Sequence, residues 1–313
     1  MESKSICRIQ NPQGGHRGAA AGSALYNACM PTPSQIAALI SLLDEPEPAR
    51  AEAIIARMAS WEEAERTALR IAAHGASDSV RRNIEAATVR ARFLRLDAAW
   101  RACASHRRLP FEEALMLLAQ SASADAKVSW ASAELDELAK QVGTRLSGDR
   151  AHDTGLEALR AVLCGEYGLC GNQADYYNPL NSYLPSVLDR RLGIPISLSC
   201  VVILVAHRLE LPVCGIGTPG HFLCYYGEPA IESGTYFDAF DGLRTLSRAQ
   251  VELRLREMGL TPEPSMFAPA NEREIVARTI RNLIAYHRTH DQHEAARRLL
   301  AWLDVLVTHG ANA

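Results

Sequence analysis

This sequence has few aromatic residues, little net charge and no apolar run that could cross a membrane. Aromatic residues make up 6% of the 313 residues, and the formal net charge is -3. A near-neutral chain lacks the general attraction to nucleic acids or anionic lipids that a basic chain has, so we expect neither as a partner. No apolar stretch approaches the roughly 18 residues of a membrane span. Hydrophobic residues are nevertheless 48% of the total, which is ample for buried helical cores.

Motifs for disulfides, metals and nucleotides are also missing. The eight cysteines form no CxxC pair and no common zinc spacing, and there is no GxxxxGK(S/T) or GxGxxG phosphate loop. His287, His290 and His293 are spaced by three, but Asp291-Gln292 predicts a turn that separates them. With no secretory leader in the sequence, we therefore expect reduced thiols, no metal, no cofactor and a cytoplasmic location.

The first third of the chain predicts a polar tail followed by helices. Residues 1–33 are rich in Gly, Ala, Ser, Gln and Asn and predict a disordered tail. Residues 34–108 carry apolar residues at helical spacing, and the segment Ser41–Arg50 is similar to the turn of a HEAT-type repeat. Repeat packing and a plain helical bundle both stay open. The eight arginines over residues 80–108 favour a solvated helix face, because stacking aromatics are not interleaved with them.

The pattern changes within residues 109–250. Helical spacing gives way to turns, and Pro195 then suits the first turn of a helix with a continuous apolar face. Three β-type runs follow, at Val213–Gly217, Phe222–Tyr226 and Thr235–Phe240. We expect an α+β protein that is mostly α. In it, one helix packs on a small antiparallel sheet, with further helical segments before and after this core.

Cysteine, histidine and aspartate follow one another here in the order that a thiol-type acyl-transfer site needs. Cys200 lies on the helix, His221 begins a strand and Asp238 lies on the next strand. A reactive thiol gains most at a helix N-terminus, but Ser197 is nearest that position and Cys200 is one turn further in. Both stay open as the nucleophile. A helix cap explains Ser197 without chemistry, and a small core residue explains Cys200.

Two side chains before this helix could donate a hydrogen bond to an oxyanion. They are the amide of Asn181 and the hydroxyl of Tyr177. An Asx-type role in stabilising the turn is an equal alternative for the first of them.

Four runs resemble the SirB-type branch of the transglutaminase-like superfamily, and they occur in order. They are Tyr176-Tyr-Asn-Pro-Leu-Asn-Ser-Tyr-Leu184, Val187-Leu-Asp-Arg-Arg-Leu-Gly-Ile-Pro-Ile-Ser-Leu-Ser199, Pro219-Gly-His-Phe-Leu223 and Phe237-Asp-Ala-Phe-Asp-Gly242. The resemblance implies a papain-like core over residues 109–250. In such a core the nucleophile helix packs on a sheet that bears the histidine and the aspartate.

The resemblance also assigns roles to single residues. His221 matches the general base and Asp238 the acid that orients it, although Ala239 stands where the family often has proline. Residues 268–310 resemble the tetratricopeptide-like helical pair found on many such proteins, with helices expected at Asn271–His290 and Gln292–His309.

Two functions follow from these observations. The first is a non-classical or degenerate cysteine-type core that acts as a binding or regulatory protein, with a protein or peptide partner recognised through the helical flanks. The second is an active amide hydrolase or acyltransferase that uses Cys200, His221 and Asp238. Because Cys200 is offset from the expected helix start, the sequence favours the first.

Overall fold

The computed structural model divides the chain into two units, one up to Ala86 and the other from Ala87 to Ala313. The predicted tail at residues 1–33 lies outside the described residues except for its last two positions. The structure describes residues 32–44, 48–59, 61, 63–146, 152–228 and 234–311.

The N-terminal unit is helical. It contains α1 (Pro33–Leu43), α2 (Pro48–Ala59), α3 (Glu63–Ala72) and the first turns of α4 (Asp78–Ser105). The side-chain amide of Asn83 donates to the Leu43 carbonyl at 2.8 Å, which joins α4 to the end of α1. Its apolar core includes Leu43, Met58, Leu69 and Val80. The unit therefore has an apolar interior of its own.

The second unit contains the remaining helices and all of the described strands. Its helices are α5 (Phe111–Ala122), α6 (Val128–Arg145), α7 (His152–Leu159), α8 (Leu184–Arg190), α9 (Pro195–Arg208), α10 (Arg248–Glu257), α11 (Glu272–Thr289) and α12 (His293–Ala311). A π-helical segment, Arg160–Glu166, continues α7. The helix expected from Pro195 begins at that residue.

Two sheets complete this unit. A short parallel pair joins β1 (Cys170–Gly171) and β2 (Leu192–Gly193). The main sheet is antiparallel, has the strand order β6-β5-β4-β3-β7, and contains β3 (Val213–Ile216), β4 (Leu223–Tyr226), β5 (Thr235–Asp238), β6 (Arg244–Leu246) and β7 (Pro269–Ala270). The three β-type runs of the sequence are thus strands, each one or two residues shorter than the pattern predicts. The α+β, mostly α class is confirmed.

The main sheet has helices on both faces, and α9 is the central one. Every residue from Pro195 to Ala206 is buried, so the helix has apolar neighbours all round rather than on one side. It packs against β3 and β4 on one side and against α6, α8 and α11 on others. The opposite face of the sheet is covered by α10, through Val251 and Leu255.

The two C-terminal helices pack against each other, and α11 also contacts α5 and α9. The indole rings of Trp100 and Trp302 stack with centroids 4.6 Å apart, and the Trp100 indole N–H donates to the Trp302 carbonyl at 2.9 Å. The helical pair is therefore continuous with the core of its unit. None of the helices in the described ranges is long and apolar enough to cross a membrane.

Two glycines make the β1–β2 pair possible. Gly171 and Gly193 are opposite each other in this pair. A Cβ on Gly171 would lie 2.7 Å from the Phe240 carbonyl oxygen, and one on Gly193 would lie 2.7 Å from the Ser197 hydroxyl. Both contacts are too close for a methyl group, so the start of α9 and the turn after β5 can approach this pair only where there is no side chain.

We expect Gly171→Ala to lower the free energy of unfolding by about 1–3 kcal/mol, because an inserted methyl in a packed region displaces its neighbours. Chemical denaturation measures the change. Gly165→Ala is the matched control, since the nearest atom to its added Cβ, the Arg160 carbonyl oxygen, is 3.9 Å away. Equal stabilities of the two variants would contradict this account of the β1–β2 contact.

Candidate functional site

The structure brings His221 and Asp238 into direct contact. His221 lies at the end of a turn before β4, and Asp238 is the last residue of β5. The imidazole Nε2–H donates to Asp238 Oδ2 at 2.9 Å. With Nε2 held in this way, the neutral ring has its lone pair on Nδ1. The pair can therefore accept a proton or a hydrogen bond at one defined atom.

Asp238 is a buried carboxylate with several partners. Its Oδ1 accepts from the Phe240 amide at 3.0 Å, and Arg254 of α10 approaches Oδ2 at 3.4 Å. Burial opposes ionisation and acts to raise the pKa. The hydrogen bond and charge of His221, the amide and the Arg254 charge together outweigh that effect, so the pKa of Asp238 lies below its ordinary value. The carboxylate is thus charged when it orients the imidazole.

A tight turn presents His221. The Thr218 carbonyl accepts from the His221 amide at 3.3 Å, and the Thr218 hydroxyl donates to the His221 carbonyl at 3.0 Å. Gly220 has a φ of 72°, in the left-handed region that glycine adopts without strain. The Pro-Gly dipeptide before His221 therefore allows the backbone to form this turn.

The imidazole lines a cavity of about 380 Å³. The cavity is also lined by Leu223 of β4, by Val251, Arg254 and Leu255 of α10, and by Met258, which follows α10. Such a volume is typical of pockets that take a small molecule or a side chain. The side chain of His221 is 29% exposed, so it is open to a ligand in this cavity.

Ser197 is a structural residue of the α9 N-terminus. Its hydroxyl oxygen accepts from the Ile194 amide at 3.0 Å, and the hydroxyl group donates to the Asn181 carbonyl at 2.5 Å. No hydrogen bond joins it to His221. These contacts are those of a residue that caps the N-terminus of α9, which was the structural alternative for Ser197.

Cys200 is a core residue with a buried thiol. It is 2% exposed, and it makes no hydrogen bond with His221. Burial, and then the neighbouring Cys224 thiol, raise the pKa of Cys200 far above its ordinary value. A thiol needs the opposite shift to become a nucleophile near neutral pH.

The sheet itself separates the α9 side chains from the His221–Asp238 pair. Successive residues of a strand point to opposite faces. On the face that packs against α9, one apolar cluster contains Cys200 together with Cys224, Tyr226 and Phe237. On the face that packs against α10, a second cluster contains Leu223, Tyr225 and Tyr236 together with Val251 and Leu255. Asp238 follows Tyr236 by two residues and bonds Arg254 of α10, so its carboxylate is on the α10 side.

The two oxyanion candidates are not brought to this pair. Asn181 is fully buried, and its side-chain NH2 donates to the carbonyls of Asp175 and Tyr176 at 2.7 and 3.1 Å. Both amide hydrogens are thereby used in holding the turn before α8. Tyr177 is 82% exposed, and its ring packs edge-on against Tyr176. Neither side chain makes a hydrogen bond with His221 or Asp238.

No metal cluster occurs in the described part of the chain, where no three His, Cys, Asp or Glu side chains come together suitably. His287 hydrogen-bonds to Gln292 at 2.6 Å and to the Tyr183 hydroxyl at 3.4 Å, which ties α11 to the turn before α12 and to α8.

Two arginines of the site were not identified from the sequence. Arg254 contacts Asp238, and Arg278 of α11 donates to the carbonyls of Thr218 and His221. Each lies within a helix beside buried apolar residues, on α10 next to Leu255 and on α11 next to Ala277. A charged residue in such a stripe is a signal for a buried partner, but it does not identify that partner.

Comparison with known proteins shows what the second unit is similar to. Residues 129–281 match the family described as the Transglutaminase-like superfamily, so this segment is similar to transglutaminase-like domains. It contains the main sheet, α9 and the His221–Asp238 pair, and it ends within α11. No solved structure matches the chain significantly.

Relatives of the chain include several UPF0162 proteins. One from Xylella fastidiosa (strain Temecula1) is 37% identical over 149 residues, which are 46% of this chain and 52% of the relative. One from Pseudomonas aeruginosa is 34% identical over 181 residues, 56% of this chain and 64% of the relative. F-box only protein 21 of Mus musculus is 34% identical over 136 residues, 42% of this chain but 21% of that protein. The chain thus spans about half the length of the Xylella relative and about a fifth of the F-box protein.

Gly220→Ala is expected to lower the free energy of unfolding by about 1–2 kcal/mol, because an L side chain is strained in the left-handed region. The added Cβ would also meet the terminal methyl of Met258. Chemical denaturation of Gly220→Ala and of the double variant with Met258→Ala separates the two causes. Recovery of wild-type stability in the double variant would contradict the backbone explanation.

The lowered pKa of Asp238 predicts a pH-dependent stability. Ionised Asp238 should stabilise the fold above the ordinary aspartate pKa of about 3.9, and this contribution should be lost as the pH falls through the lower pKa of the folded state. The stability difference between wild type and Asp238→Asn, measured by denaturation at decreasing pH, should therefore shrink. Asp241→Asn, at an exposed aspartate nearby, is the control. A difference that is constant with pH would contradict the prediction.

Proposed function

We propose that the transglutaminase-like domain of this chain is a binding module without thiol chemistry. The observation that carries this proposal is the location of the α9 side chains and the His221–Asp238 pair on opposite faces of the main sheet. Acyl transfer by a thiol needs the sulfur within hydrogen-bond reach of the base. Here the two candidates of the sequence, Cys200 and Ser197, are enclosed in the core.

The cavity at His221 is the proposed binding site. It offers the Nδ1 atom of an oriented imidazole, the guanidinium of Arg254 and the apolar side chain of Met258. This combination suits a ligand that has both a hydrogen-bonding group and an apolar part. A protein or peptide partner, also recognised through the helical flanks, is the ligand class that we propose.

The comparisons support a modular role. The matched segment is about half of a UPF0162 protein and about a fifth of F-box only protein 21. The same kind of domain therefore occurs within proteins of very different length. The order of the four motifs supports assignment to the SirB-type branch, and the packing of α11 against α12 supports a tetratricopeptide-like tail. Both assignments belong to this proposal.

Thiol labelling distinguishes this function from the cysteine-type alternative. With iodoacetamide at neutral pH, exposed Cys170 should be alkylated readily, whereas Cys200 should react at least about 100-fold more slowly, because a buried thiol of raised pKa reacts only when the structure opens. Peptide mapping by mass spectrometry measures both sites in one sample.

The control is His221→Ala, which should leave the labelling of Cys200 unchanged. Rapid labelling of Cys200 in the native protein that slows in His221→Ala would support an active amide hydrolase or acyltransferase using Cys200, His221 and Asp238. That result would overturn the proposal.

A further inference from the structure

Arg278 links the C-terminal helical pair to the turn that carries His221. Both of its terminal nitrogens donate to the Thr218 carbonyl at 3.0 Å, and one of them also donates to the His221 carbonyl at 2.9 Å. The guanidinium thus holds both ends of the four-residue turn Thr218–His221. Its carbon lies 5.6 Å from the centroid of the Phe222 ring, which is the next residue of the chain.

The element that carries Arg278 is anchored in the core. The neighbouring residues Val276, Ala277, Thr279 and Ile280 are all buried. The Thr279 hydroxyl donates to the Ile275 carbonyl, so it makes its hydrogen bond within α11. The backbone at Arg278 therefore has little freedom, and its side chain holds the partly exposed turn against this rigid helix.

Arginine suits this contact better than lysine. A guanidinium is planar and has several donors at fixed angles, so it can bind two carbonyl oxygens at once. An ammonium group at the end of a flexible chain can neutralise the same region but does not define the same geometry. The contact is therefore sensitive to shape as well as to charge.

We propose that Arg278 is a positioning residue, which fixes the Thr218–His221 turn so that the His221 imidazole stays on Asp238. The role makes α11 a functional part of the transglutaminase-like domain. It is consistent with the family match, which extends to residue 281 and so includes Arg278. The inference rests on the proposed function in one respect only, that His221 is the group that meets the ligand.

The test uses the carboxyl group of Asp238 as a reporter. His221 lowers the pKa of that carboxyl, so a displaced imidazole should raise it. Titration of the Asp238 side-chain carbon by NMR, assigned with Asp238→Asn, is the measurement. In Arg278→Lys, which keeps the charge, we expect a rise of about one pKa unit, the scale of losing a close opposite charge. Faster hydrogen exchange of the His221 amide should accompany it.

Arg281→Gln is the matched control, because it removes a positive charge from an exposed position of the same helix. It should leave both readouts at wild-type values. A folded Arg278→Lys with wild-type values would overturn the proposal, and so would a change found in Arg278→Gln alone, which would indicate a simple charge effect.

Melting temperatures establish that each variant is folded. If neither Arg278 variant folds, the wild-type protein carries the test, because a turn fixed by Arg278 should protect the His221 amide, which donates to the Thr218 carbonyl, from hydrogen exchange. Exchange of that amide as fast as in an unstructured peptide would contradict the proposal. Thiol labelling reports on Cys200, on the other face of the sheet, so this inference and the proposed function can fail separately.

Discussion

The burial of α9 is the constraint on which the rest of the second unit depends. Twelve consecutive residues of this helix, Pro195–Ala206, are buried between the main sheet and the surrounding helices. A helix enclosed in this way stabilises the core by removing apolar surface from water. The same enclosure withdraws its polar side chains from any ligand in solution. Ser197 and Cys200 are accordingly used for capping and packing.

The site is on the other side of the sheet because its polar groups need different surroundings. A buried carboxylate such as Asp238 is tolerated only with hydrogen bonds and opposite charge around it. His221, the Phe240 amide and Arg254 supply them. The imidazole is in turn held by its turn, in which Gly220 provides the left-handed residue and Arg278 binds the carbonyls. Orientation of one imidazole thus requires β4, β5, α10 and α11 together.

The parts of this arrangement differ in how well they could be predicted. The helix beginning at Pro195 and the three strands follow from local periodicity and from proline and glycine positions, whereas the two C-terminal helices were expected from the resemblance, and the structure has all of them. The pairing of His221 with Asp238 was predictable because His221 lies two residues before one strand and Asp238 ends the next strand of the chain. Arg254 and Arg278 were not predictable, since they are 16 and 57 residues away from the groups they contact. Such contacts depend on helix packing, which periodicity does not encode.

The sequence by itself determined the fold class, the order of the elements and a histidine–aspartate pair, because these depend on residue type and short-range spacing. Only the tertiary structure decided which face of the sheet each side chain occupies. Strand alternation and helix docking put Asp238 on the α10 face of the sheet and Cys200 on the α9 face. Their order along the chain had been compatible with a single catalytic triad. A difference of one residue along a strand reverses the face, and only packing in three dimensions determines what covers it.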